Sequence, residues 1–231
     1  MRINIMFLVV TLSFLSGKTV AQQDYRAVPS AWGFSWGAGL GTMVPGGNLG
    51  NMFNAGFAGD TEINLYYQNV FLMINGGFSS NSLSSDIRVI SSDGVNETYW
   101  PSGSNSIHAF IGGNVGVNLY TINNISVYPF VGAGYGFMEP SRGTAKNDQL
   151  LRELKIDSFL WNVGLGVDYN FPDKNYTPGS INRILKIGLR YQYQKPNFDN
   201  NNEVENFEGA NHWLSLRFVI GSSMPGKRIY N

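Results

Sequence analysis

From Trp32 onward the chain sets large apolar side chains against small or polar ones at a period of two, in eight separate runs. In the first run Trp32, Phe34, Trp36, Ala38, Leu40 and Val44 alternate with Gly33, Ser35, Gly37, Gly39 and Gly41. A period of two places successive side chains on opposite faces of an extended strand, whereas a helical face would recur every three or four residues. The later runs fall at 57–67, 70–78, 107–119, 127–137, 159–171, 185–193 and 212–220. Each is about 9–14 residues long, enough to cross a bilayer as a tilted strand. The fold class expected is all-β: an eight-stranded antiparallel up-and-down transmembrane β-barrel, closed so that no strand edge meets lipid.

The polar face decides which side meets the membrane. It is dominated by Gly, Ser and Asn, and charged residues make up only 14% of the chain. A soluble barrel of the lipocalin kind needs a solvated, charged exterior around an apolar interior. Here the apolar face is expected outside, against outer-membrane lipid. The connections agree, since short ones (68–69, 121–124, and a longer 172–182) alternate with longer ones (45–54, 79–105, 139–157, 195–210). Short turns belong on the periplasmic side of such barrels and long loops outside. Outward rings gather near both strand ends, where amphipathic rings prefer the membrane interface.

The N-terminus reads as an export signal. Arg2 precedes an apolar run through Leu15, and Thr19-Val20-Ala21 offers a small-residue cleavage site. The expected organisation is a signal peptide at 1–21, a periplasmic segment at 22–31, the barrel at 32–221 and a periplasmic tail at 222–231. The cell outer membrane, with both termini periplasmic, is the expected location. Lys+Arg and Asp+Glu balance at 16 each, without the basic surplus of a nucleic-acid binder. With no cysteine there is neither a thiolate metal site nor a disulfide framework.

The segments WGFSWGAGLGTMVP from Trp32, VYPFVGAGYGF from Val127, FLWNVGLGVDYNF from Phe159 and HWLSLRFVIG from His212 carry a resemblance. In these the chain resembles the small OmpA/OmpX-type outer-membrane barrels of Gram-negative bacteria, across the whole length after the signal. The resemblance implies a narrow lumen filled by side chains. It departs from the larger relatives in having no peptidoglycan-binding domain, and from many small ones in running on past Phe218 to Asn231.

Strand parity turns six charges inward: Asp60, Glu62 and Asp168 with Lys186, Arg190 and Arg217. Unpaired charge in a narrow, partly dehydrated lumen is costly, so pairing is expected: Lys186 with Asp168, and Arg190 and Arg217 toward Asp60 and Glu62. His108 should face the lumen and His212 the lipid. Ser215 points away from His212, so no hydrolytic triad forms there. Asp86, Asp93 and Glu97 lack the spacing of a calcium loop. No metal and no cofactor is expected.

In the loops, Tyr99 and Trp100 are candidate partner contacts, or else pack down on the rim. Leu150, Leu151 and Leu154 share one face of a helix expected over Asp148–Lys155, with the acid early and the base late as the helix dipole favours. That helix would cap the barrel mouth or dock a partner. The function expected is a non-enzymatic structural or accessory component of the envelope, in contact with outer-membrane lipid and with outer-membrane or periplasmic proteins. A small passive channel or ligand-binding barrel, and a lipid-modifying enzyme, stay open as alternatives.

Overall fold

Gly33 pairs with Tyr66, and the register continues through Phe71, Gly116, Phe130, Gly164, Gln192 and Trp213 to Met43. One circuit of the sheet thus returns to the first strand ten residues above its starting point. A sheet that returns to itself is a closed barrel, and a stagger of this kind requires its strands to tilt by roughly 35–45° from the axis.

The computed structural model describes residues 30–91, 95–122, 124–172, 181–198, 204 and 207–225. The expected signal peptide, the segment 22–29, Asp93 and the tail beyond Pro225 lie outside the described residues. Eight long staves form the wall: β1 (Ser30–Gly47), β2 (Gly56–Tyr67), β3 (Val70–Ser82), β6 (Asn105–Val117), β8 (Ile125–Pro140), β9 (Ile156–Asn170), β10 (Asn182–Phe198) and β11 (Gly209–Pro225). Every neighbour pair is antiparallel, with β6–β8 and β11–β1 completing the ring. β4 (Ile87–Ile90) and β5 (Glu97–Trp100) form a separate hairpin, and β7 (Tyr120–Ile122) extends the edge of β8. The eight-stranded up-and-down barrel read from the alternation is the architecture observed.

The staves run from 12 to 18 residues, longer than the alternation implied. β1 continues through Pro45, Gly46 and Gly47, residues that read as a loop, because their partners on β11 carry the ladder onward. Tight turns close the opposite end. Gln68 and Asn124 take positive φ there, at 54° and 69°, the left-handed geometry that reverses a chain within two residues.

The wall follows the parity read from sequence. Outward positions of all eight staves carry Asp, Glu, Lys or Arg only near the rims, at Glu139, Asp157, Arg183 and Lys195. On β9 the uncharged outward positions continue from Phe159 to Phe171. That is roughly 40 Å of strand and roughly 30 Å along the axis after tilting, the thickness of a bilayer's hydrocarbon core. Rings such as Trp32, Trp36, Phe78 and Trp161 are 45–60% exposed on this surface. Such exposure is intolerable in water and favourable in lipid.

Candidate functional site: a layered lumen under a cap

The lumen is not the polar space that its Gly, Ser and Asn content implied. Large apolar side chains sit on the inward parity among those small residues, in two layers. Near the turn end Phe71, Met73, Tyr128 and Phe130 pack together, with Tyr66 against them. Near the loop end Met43, Ala58, Phe110, Leu160 and Trp213 form a second layer, with the rings of Phe110 and Trp213 edge to face at 4.9 Å. The inward glycines make room for these rings. A Cβ on Gly116 would stand 2.1 Å from the Phe71 ring, and one on Gly164 the same distance from Phe130. Glycine on the inward face is therefore the counterpart of a ring on the next stave.

The charge network begins below the second layer and runs down beside the first, with Lys186 over Tyr66 and Arg217 over Tyr128. Arg190 pairs with Asp60 at 2.9 Å and also with Glu62. Arg217 pairs with Glu62 and, at 2.8 Å, with Asp168. Lys186 stands 3.9 Å from Asp168 and lies over the Tyr66 ring. The six residues singled out from parity thus occupy one connected cluster. The pairing differs in one respect from the simplest expectation. Arg217 turns from Glu62 to Asp168 instead of to Asp60, and bonds Tyr128 on the way. Both guanidinium groups are nearly fully buried, at 1–2% exposure. At that depth each charge depends on its partners, because the desolvation cost of an isolated ion is several kcal/mol. Amides complete the layer: Asn64 donates to Glu62, Asn114 to Asn75, and Asn75 to Gln192.

Above the second layer, the four loops close over the mouth. Their apolar residues form one core: Leu49 and Phe53 from the first loop, Leu83, Ile87, Val89 and Trp100 from the second, Ala145, Leu151 and Leu154 from the third, and Val204 from the fourth. Phe53 is the hub, with its ring against Trp100, Phe207 and His108. Backbone bonds tie the loops to one another, Ser84 N to Met52 O and Leu49 N to Glu208 O. Val89 on β4 bridges Val204, and Thr98 on β5 donates to Asp148.

The expected helix in the third loop is a single short one, Gln149–Glu153, with Asp148 as N-cap accepting from Leu151 N. Leu151 and Leu154 point into the cap core, as does Trp100, which is fully buried. For these three the structure takes the alternative of packing down over the mouth, not that of an exposed contact. An apolar loop residue is worth more against three other loops than in water, so the cap takes them first. Tyr99 is 55% exposed and Leu150 half-buried, so these two remain at the surface. Beside them a groove of about 670 Å³ runs between the β4–β5 hairpin and the helical turn, lined by Ile90, Glu97, Thr98, Asp148, Leu150 and Glu153 among others.

The loop acids have local partners. Glu97 pairs with Arg88, and Asp86 accepts from Ser102 N. Among the described residues no group of three or more metal-ligating side chains comes together. His108 is buried under the cap and bonded to Ser106, and His212 sits on the outer wall between Tyr191 and Tyr193. Neither histidine has a carboxylate among its bonded partners.

No protein-family model matches the chain. No curated protein matches it either. Among solved structures, the crystal structure of Neisserial surface protein A aligns over 82% of this chain and 95% of its own, with 14% identity and a TM-score of 0.46. A major outer membrane protein from Thermus thermophilus aligns over 83% of this chain and 98% of its own, with 16% identity and a TM-score of 0.39.

Proposed function

We propose that this protein is a sealed, non-enzymatic barrel of the cell outer membrane, a structural or accessory component of the envelope. Its loops face outward and its termini lie in the periplasm. The observation that carries this reading is the filled lumen: two apolar layers, a neutral cluster of three acids and three bases packed beside the lower one, and a cap built from all four loops. An interior so filled gives an ion no continuous aqueous path, and an eight-stranded wall is narrow enough for side chains to fill. The uncharged outer wall supports a place in lipid. Long loops at one end and tight turns at the other support the orientation.

Planar-bilayer recording of the purified protein tests this reading. The expected result is no steady conductance, and a stable open level would overturn it. Contact with other outer-membrane proteins falls to the cap surface around Tyr99 and Leu150. A photo-crosslinker placed at Tyr99 in intact cells should give one reproducible adduct if the barrel is part of an assembly. The lipid A mass spectrum should be the same with and without the protein, and an altered acyl pattern would make it an enzyme.

A further inference from the structure

Beneath the cap lies a small pocket of about 20 Å³, lined by His108, Gln194, Asn211 and Trp213 among others. Each of these four residues is at least nine-tenths buried. Each carries a polar atom with no partner in the protein: His108 Nδ1, Gln194 Nε2, Asn211 Oδ1 and Trp213 Nε1. Buried polar atoms of native proteins are nearly always bonded, to protein or to ordered water. The four side chains that carry these atoms line one small pocket, so one shared partner would satisfy them together.

Their chemistry specifies the occupant. Ser106 Oγ has one proton and donates it to Asn81 O at 3.0 Å. The 2.9 Å contact between Ser106 Oγ and His108 Nε2 must then use the imidazole proton. Nε2 therefore carries a proton, and burial without a carboxylate partner disfavours a second one, so Nδ1 keeps a lone pair. Asn211 Oδ1 is a second acceptor, while Gln194 Nε2 and Trp213 Nε1 are donors. Two acceptors and two donors are the complement of one water molecule, which donates twice and accepts twice. The volume agrees, because one water needs about 10–15 Å³ by this measure and two do not fit.

We propose that this chamber is an internal hydration site for a single, long-lived water molecule, held at four points by staves β6, β10 and β11. It links the lumen to the cap, because His108 also packs edge-on against Phe53, 5.1 Å away. The site takes a neutral molecule of water's size. A cation would meet the two donors, and anything larger would displace Trp213 from Phe110.

The test is nuclear magnetic resonance of the full protein, nitrogen-15 labelled and refolded in micelles. The Trp213 indole N–H should show a cross-peak at the water frequency, with the sign of a water resident longer than the tumbling time. The His108→Phe variant, which removes one acceptor and fills space, should lose that cross-peak. An absent cross-peak in the natural protein would overturn the proposal. So would one that persists undiminished in His108→Phe, because its source would then be exchange with a nearby hydroxyl. If that variant does not refold, a high-resolution crystal structure of the natural protein decides. A solvent peak within about 3.2 Å of the four atoms supports the site. Direct pairing of the four side chains with one another refutes it.

Discussion

Phe53, in the first loop, meets Trp100 in the second with ring centroids 5.7 Å apart and planes at 69°. Forty-seven residues separate them in the chain, and both are fully or almost fully buried. This edge-to-face contact is the centre of the cap, and four loops rest on it.

Replacing Trp100 with Ala removes the largest side chain of that core. A truncation of this kind costs about 3–5 kcal/mol. The cost should fall on the cap alone, because the staves below have their own layers. Limited proteolysis should cut the loops of Trp100→Ala, while the staves stay intact. Cleavage within the staves as well would make cap and wall one cooperative unit.

Removing one member of the buried charge network should cost more than its hydrogen bonds suggest. Glu62→Gln takes one carboxylate from both Arg190 and Arg217, leaving Asp60 to the first and Asp168 to the second. Breaking a buried pair in this way costs about 3–5 kcal/mol. Urea unfolding in lipid vesicles should show a lowered midpoint at unchanged slope. Conductance should stay absent, because the two apolar layers remain.

Gly166→Val should fail for a steric reason. A Cβ on Gly166 lies 2.1 Å from the Tyr128 ring, which a branched side chain only worsens. Overpacking of this kind costs about 1–3 kcal/mol where the neighbour can shift, and more where it cannot. Refolding yield should fall for Gly166→Val and recover in part for the double variant with Tyr128→Ala. No recovery would place the clash with the backbone instead of the ring.

Asp148 links the third loop to the second, and it should make the cap sensitive to acid. The Thr98 hydroxyl bonded to its carboxylate holds that carboxyl below its ordinary value of 3.8, helped by Leu151 N. A carboxyl depressed in the folded state contributes stability above its unfolded value and loses it as pH falls through the folded one. Amide protection in 148–154, taken relative to the intrinsic exchange rate, should therefore fall only below about pH 4. Asp148→Ala should show the lower protection at every pH, with a helix-cap loss of about 1 kcal/mol.

The alternation of Trp32, Phe34 and Trp36 with Gly33, Ser35 and Gly37 was enough to assign the staves, their faces and the inward charges. Side-chain direction in a strand is a local property with a period of two, so neither partner nor register is needed to read it. The same holds for the short helix after Asp148, whose cap is three residues from the amide it binds.

Other features depend on contacts between residues far apart in the chain. Which base meets which acid follows from the register between staves: Arg217 and Asp168 both lie level with Gly188 on β10, while Arg190 meets Asp60 across the β11–β1 seam. The inward rings of Phe71 and Phe130 need glycines on neighbouring staves, at Gly116 and Gly164. Trp100, Leu151 and Leu154, legible as exposed contacts, turn inward because Phe53 and Val204 arrive from other loops to cover them. The sequence by itself determined which face each residue takes. The tertiary structure decided what stands opposite it, because burial and charge pairing depend on neighbours that the chain brings together only by closing.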